Sequence, residues 1–429
     1  MHTFRFEVKK IWKRKGTWIA LFICIFAISA LYFFNKEAAR NMEATNQNLI
    51  QNRTDQFRQW AAESDAAAEK AKQEGDTATA EEQSLMADRF GESIKKYEKL
   101  KIAYDIGDWE YIYSTDLEGM QLFVENPMEA QVSIEEQRVD HFTLRASFEE
   151  KQQLLEKGLI PPAQDIFLYS LMPTLYNEFT GYSAARWEQM TERYGTVGWN
   201  ILFQFTQYFL IPITILLGAF LFGNSVSSES IRKKRGLHFF QVLPVTKGLV
   251  FIAKYLVGLI HTILFTGIIS MMPLLLSLLD RGIGSLAYPV LVYDGPNPSA
   301  FGSSTPVPNG DYDTFHFISL GDYFMQALWL TLLMAFFIYT VYFFLSLWIR
   351  HAGATFLVTG SIMFIGTMVG ASAWNPFQYL DVHRIITQEN RVLLVDNRYT
   401  IQNGLLALGL TGLFLWLMSF GRYRHLKVR

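Results

Sequence analysis

Residues Ser228–Ile260 read "SESIRKKRGLHFFQVLPVTKGLVFIAKYLVGLI". Four consecutive cations, Arg232, Lys233, Lys234 and Arg235, give way to an apolar stretch, a Leu-Pro-Val and then a long greasy run. The run continues to Leu279, and an apolar segment of this length matches the roughly 30 Å hydrocarbon core that about 20 helical residues cross. Five more such runs lie elsewhere in the chain, at Trp18–Phe34, Trp199–Phe222, Phe324–Ile349, Ala354–Ala373 and Gly404–Phe420. Hydrophobic residues make up 50% of the 429 and aromatic residues 15%, which favours a membrane protein over a soluble one. The third run contains Pro273 and is long enough to tilt or kink there.

Assigning the connecting segments alternately to two sides separates the charges. One side holds Arg5, Lys9, Lys10, Lys13, Arg14 and Lys15, the cations of the 223–254 segment, Arg350, and the tail cations Arg422, Arg424, Lys427 and Arg429. Its acids are Glu7 and Glu229 alone, although the whole chain has 40 Asp and Glu residues. Cytoplasmic loops collect Lys and Arg, so both termini are expected in the cytoplasm. The basic N-terminus before an apolar run also fits a signal peptide, but no small-x-small site follows at Phe33-Phe34-Asn35-Lys36, and an uncleaved first span is expected. Cys24 is the single cysteine, so no intrachain disulfide can form.

The expected fold is an all-α polytopic membrane protein. An amphipathic interfacial helix over 1–16, with Phe4, Val8, Ile11 and Trp12 at helical spacing, leads into spans at 17–35, 198–222, 249–279, 324–349, 354–373 and 404–420. Residues 36–197 are enough for a mainly helical extracytoplasmic domain. A helical hairpin over about 40–104 turns at Gly75-Asp76-Thr77, while "WEYIYSTDLEGMQLFVENP" reads equally as strand or short helix. Ser147 with Glu150 reads as a capping box for a short helix that Gly158 ends. Residues 280–323, rich in Pro, Gly and Ser, are expected as an irregular outer loop, and 374–403 as an extracytoplasmic or re-entrant segment. Gly366 and Gly370 form a small-xxx-small pair in the fifth run. The tail is 421–429.

Enzymatic constellations are missing from the sequence. There is no Gly-x-x-x-x-Gly-Lys phosphate loop, His-Glu-x-x-His pair or Cys-x-x-Cys. Asp381 and His383 are an ordinary polar-loop pair, and His261 reads as a neutral imidazole hydrogen-bonded among helices. In the loop 223–248, "LHFFQVLP" reads as a short amphipathic helix offered to a cytoplasmic partner.

That loop, on a six-span scaffold with an interfacial helix before span one, resembles the ABC-2 type permease family. The matching residues are Glu229, Arg235-Gly236, Leu243-Pro244-Val245-Thr246-Lys247 and Lys254, with Asn375–Asp381 as a second similarity after span five. The resemblance implies a permease subunit, not itself an enzyme, coupled to an ABC ATP-binding subunit through Glu229, Arg232, Arg235, Gly236, Phe239, Leu243, Pro244, Val245, Thr246 and Lys247. ATP and Mg2+ would bind that partner, with no cofactor on this chain. A second permease copy or sister permease would complete a dimer in the plasma membrane of a bacterium; no nucleic acid is involved. Span aromatics Phe205, Phe209, Phe336, Tyr339 and Phe343 are the candidate substrate path for an exported hydrophobic or peptide-like compound. The alternative is an ABC-type mechanotransmission or sensory complex whose outer domain acts on an extracellular partner without transport.

Overall fold

Helix dominates because most of the chain is either apolar and long-patterned or rich in Ala, Glu, Gln and Lys. The computed structural model describes residues 2–127, 131–225, 246–295, 310, 313–349 and 351–425. In chain order the helices are α1 His2–Trp12, α2 Lys15–Glu74, α3 Thr77–Ile106, α4 Trp109–Glu125, α5 His141–Lys157, α6 Gly181–Thr191, α7 Gly198–Gln207, α8 Leu210–Phe222 and α9 Lys247–Ser277. They continue with α10 Leu320–Ser346, α11 Ala352–Met368, a 3-10 turn at Pro376–Tyr379, α12 Val382–Ile386, α13 Glu389–Leu393 and α14 Ile401–Arg424. Two antiparallel two-stranded ladders join β1 Ser133–Ile134 to β2 Gln137–Arg138, and β3 Pro289–Tyr293 to β4 Phe315–Ser319.

The chain divides into two units, Met1–Phe34 with Val197–Arg429, and Asn35–Thr196. In the first, α2, α9, α10 and α14 are each long and apolar enough to cross a membrane. The 198–222 segment, read from sequence as one span, is two helices bent by 80°. Phe209 sits at the break in the left-handed region, φ 58°. Pro212 explains the break: it lacks an N–H and collides with the carbonyl four residues back, so it is tolerated only in a first turn, and α8 restarts two residues ahead of it. The fifth run is also shorter than read, because α11 has 17 residues and ends at Met368, with Gly370 at φ 55° beyond it. Pro273 lies inside α9, which continues to Ser277. The 280–323 segment is more regular than expected, since β3 and β4 pair from Pro289↔Ser319 to Tyr293↔Phe315. Its residues 296–309 and 311–312 lie outside the described ones.

The core of this unit forms around α9, which packs against α1, α7, α8, α10 and α14. On one side Phe251 and Tyr255 meet Tyr339, Tyr342, Phe343 and Tyr423. On another, Val257, Phe265 and Ile269 meet Ile11, Ile28, Tyr32, Ile201, Phe205 and Phe222. Gly258 is the point of closest approach: a Cβ there would run into the Tyr339 ring, 2.8 Å from Cζ, and lie 3.0 Å from the Phe222 carbonyl oxygen.

In the second unit the residues of α2 from Asn35 onward run antiparallel to α3 around Gly75-Asp76. Phe57 meets Phe90 and Tyr97, Trp60 meets Phe90, and Arg58 reaches Glu98 at 2.6 Å. Asp76, Asp108 and Asp140 accept backbone N–H bonds at the starts of α3, α4 and α5, while Gly107 and Gly158 close α3 and α5 in left-handed conformation. The stretch open to strand or helix is α4. The capping-box reading of Ser147 and Glu150 is corrected, because both lie buried mid-helix. Ser147 Oγ donates to the Thr143 carbonyl and accepts from Met172 N–H, and Glu150 binds Arg193 through both oxygens at 2.6 and 2.7 Å. Asp140 starts this helix instead, and the residues between it and Ser147 are mostly buried.

Candidate functional site

The residues expected from the sequence to contact an ATPase subunit fall in the segment connecting α8 to α9. Glu229, Arg232, Arg235, Gly236, Phe239, Leu243, Pro244 and Val245 lie outside the described residues. Thr246 and Lys247 are placed: Thr246 precedes α9 without a side-chain cap, and Lys247 Nζ donates to the Arg424 carbonyl at 3.4 Å, at the C-terminal end of α14.

What the structure adds is how the two feet of this segment are held. The helix α1 puts Ile11 and Val8 into the apolar cluster with α7, α8 and α9, while Trp12 stays half exposed against Trp18. Glu7 lies one turn before Ile11, on the same side, so its carboxylate is carried into the packed face. There it accepts from Lys254 Nζ at 2.6 Å, with the side chains 3% and 0% exposed. Seven residues on from α1's Glu7, Arg14 Nη1 donates to Asn224 Oδ1 at 2.8 Å. One short N-terminal segment therefore grips the chain on both sides of the 225–246 connection, at Asn224 after α8 and at Lys254 in the second turn of α9.

The electrostatics follow from burial. Lys254 is the one charged residue in Leu249–Leu279, and an ammonium in such a run needs a partner. Lys10 Nζ lies 3.7 Å from the other Glu7 oxygen. Burial, followed by repulsion from Lys254, pulls the Lys10 ammonium down to about 7, with Glu7 opposing the shift. Burial also lowers the Arg14 pKa. The second turn of α9 is fixed elsewhere too, because the hydroxyls of Tyr255 and Thr340 lie 2.5 Å apart and Phe251 packs on Phe343, Phe420 and Tyr423. A displacement at the foot of α9 must consequently move α1, α10 and α14 with it.

The five aromatics read as a substrate path are not brought onto one surface. Tyr339 and Phe343 are fully buried in the α9–α10–α14 core, and Phe336 packs beside them. Phe205 belongs to the cluster around Ile201 and Phe222, and Phe209 sits at the α7–α8 break. His261 Nδ1 lies 2.7 Å from the Val257 carbonyl of its own helix. His383 and Asp381 do not converge as a pair: His383 lies between Tyr323 (3.3 Å) and Glu389 (3.4 Å), while Asp381 caps α12 at Arg384 N–H. Gly366 faces the Phe377 ring of its own chain, and Asn375 Nδ2 donates to the Gly366 and Val369 carbonyls. Among the described residues, no group of three or more His, Cys, Asp or Glu side chains could hold a metal ion.

Sequence reasoning missed the roles of Glu7 and Arg14. The available signal was the lone acid in a basic N-terminus, placed at helical spacing with Phe4, Val8 and Ile11, facing a chain whose third run contains one lysine. Comparison with protein-family models, curated proteins and solved structures finds no match to this chain.

Proposed function

We propose that this chain is the membrane-spanning permease subunit of an ATP-driven ABC transporter of the ABC-2 type. In this reading α2 (through its N-terminal part), the α7–α8 pair, α9, α10, α11 and α14 supply six spans, and the termini are cytoplasmic. A separate ABC ATP-binding subunit carries ATP and Mg2+, and a second copy or sister permease completes the dimer. The observation that carries the reading is the double grip of the N-terminal segment on the two ends of the 225–246 connection, by Arg14 on Asn224 and by Glu7 of α1 on Lys254. A loop that receives a push needs stiff feet; an ion pair with both side chains out of solvent fixes one of them to the helix that would move. Closure of the ATPase subunits would press on residues 229–247 and rock α9 together with α1. The cargo in this reading is a hydrophobic or peptide-like compound that is exported.

The test uses the full chain co-expressed with its ATPase. Reversing Arg232 and Arg235 to Glu is expected to abolish co-purification. Glu7→Gln is expected to keep the ATPase bound but uncouple hydrolysis from the permease. Normal binding and coupled hydrolysis in the Arg232/Arg235 variant would place the coupling contact elsewhere. Retained extracellular signalling after bulky substitutions along α8 and α11, with no cargo moved, would favour the mechanotransmission alternative.

A further inference from the structure

The second unit contains a cavity of about 500 Å³ between α2, α3, α4 and the 166–169 loop, within the range that holds small-molecule ligands. Its walls are apolar at Leu49, Leu100, Phe123 and Leu168, and polar at Arg53, Tyr97, Tyr104 and Tyr169. The loop is built to hold this shape. Tyr169 and Ser170 both adopt positive φ, 53° and 47°, a conformation costly for residues with side chains. Gly119 makes room for the Tyr169 ring, since a Cβ there would come within 2.7 Å of Cε1. Backbone strain of this kind collects at ligand clamps.

The polar groups facing the cavity are donors in search of an acceptor. The hydroxyls of Tyr97, Tyr104 and Tyr169 have no hydrogen-bond partner among the described residues, and Arg53 has no ion pair there, its guanidinium lying over the Phe167 ring at 5.2 Å. A second guanidinium, Arg186, lies over the same ring at 5.4 Å. The other charges at the cavity are already balanced, Asp116 by Lys151 at 2.7 Å and Lys96 by Glu118 at 2.8 Å. Burial, then the nearby carboxylates, pushes the Tyr104 phenol far up, so it stays a protonated donor. Phenol donors and one uncompensated guanidinium in a chamber whose walls are part polar and part apolar define a site for an oxyanion with a hydrocarbon body.

We propose that this cavity binds a single-chain amphiphile ending in a carboxylate or phosphate, its headgroup on Arg53 and the tyrosine hydroxyls and its chain along Leu100 and Phe123. The inference goes beyond the permease reading and does not depend on it, because binding here is read without the ATPase. The probe is a diazirine-bearing dodecanoic acid, photolysed with the full-length chain in phosphatidylcholine nanodiscs, the adducts being mapped by mass spectrometry. Saturable labelling of the peptides carrying Tyr97, Tyr104 and Tyr169 is expected. Excess dodecanoate or dodecyl phosphate should displace it, the stronger competitor identifying the headgroup, whereas dodecanol and dodecyltrimethylammonium should not. Arg53→Gln should weaken labelling about tenfold or more. Tyr104→Phe, which keeps the wall and removes one donor, should weaken it by a smaller factor and serves as the folded control. Unsaturable labelling, labelling away from these peptides, equal competition by dodecanol, or labelling indifferent to both substitutions would overturn the proposal.

Discussion

The Glu7–Lys254 pair gives the most exacting test of how this protein is held together. The two charges are 2.6 Å apart with side chains 3% and 0% exposed, so neither can turn to water if its partner is removed. Removing one member of a buried pair leaves an uncompensated charge and costs about 3–5 kcal/mol. At roughly 2–4 °C per kcal/mol for a unit of this size, Glu7→Gln should lower the unfolding midpoint in detergent by about 6–20 °C, and Lys254→Met by less, because Lys10 stays 3.7 Å from Glu7. Replacing both with apolar residues of similar volume, Glu7→Leu with Lys254→Met, removes the desolvation penalty along with the attraction. That double variant should return to within about 1–2 kcal/mol of the parent. The measurement is a double-mutant cycle on thermal unfolding, with a coupling of about 3 kcal/mol or more expected. Single substitutions that cost less than about 1 kcal/mol each and simply add would refute the buried joint. Under the proposed permease function, stimulation of the partner ATPase should fall in the double replacement even though stability is restored, because an apolar contact can slide where an ion pair cannot.

Lys10 sets a pH dependence with a definite sign. Its folded-state pKa of about 7 lies below the ordinary 10.5, so between those values the unfolded chain binds a proton that the folded chain does not. Stability should therefore rise as pH increases from 7 towards 10.5, by up to about 1.4 kcal/mol per pH unit. Lys10→Met should flatten that rise and gain stability at pH 6, both visible in melting curves across this range. Gly258→Ala should cost about 1–3 kcal/mol by forcing Tyr339 and the Phe222 backbone apart. Tyr339→Phe, whose lost hydroxyl is buried without a partner among the described residues, should be nearly neutral alone and recover part of the Gly258→Ala loss. In the second unit, Arg193→Met strands Glu150, 3% exposed, and should open 35–196 to limited proteolysis in the intact chain, while Arg193→Lys should recover only part of the protection.

Much of the local structure was legible because it is governed by neighbours in sequence. Gly75-Asp76 marks the turn between the long polar helices, Gly158 ends α5 and Asn375-Pro376 starts the 3-10 turn, each through backbone chemistry confined to a few residues. Apolar length alone identified the long helices around Lys247–Ser277, Leu320–Ser346 and Ile401–Arg424. Two misreadings were also local in principle. Pro212 signals a helix start inside the Trp199–Phe222 run, but apolar length hid it; Ser147 and Glu150 match a capping box by spacing, although burial gives them other partners. The strands at Pro289–Tyr293 and Phe315–Ser319 were obscured by the Pro, Gly and Ser residues between them.

By itself the sequence determined that this chain is mostly helical, where its long apolar helices lie, and that cations gather at particular connections. Those properties depend on residues a few positions apart. Only the tertiary structure decided which charges meet: Glu7 and Lys254 are 247 positions apart, and Arg14 and Asn224 are 210 apart. An isolated acid on an apolar helix face announces a cost of burial but not the group that offsets it. That group is selected by how the helices pack, and packing also sets a basic N-terminal stretch against Asn224 and Lys254, on either side of the connection from α8 to α9.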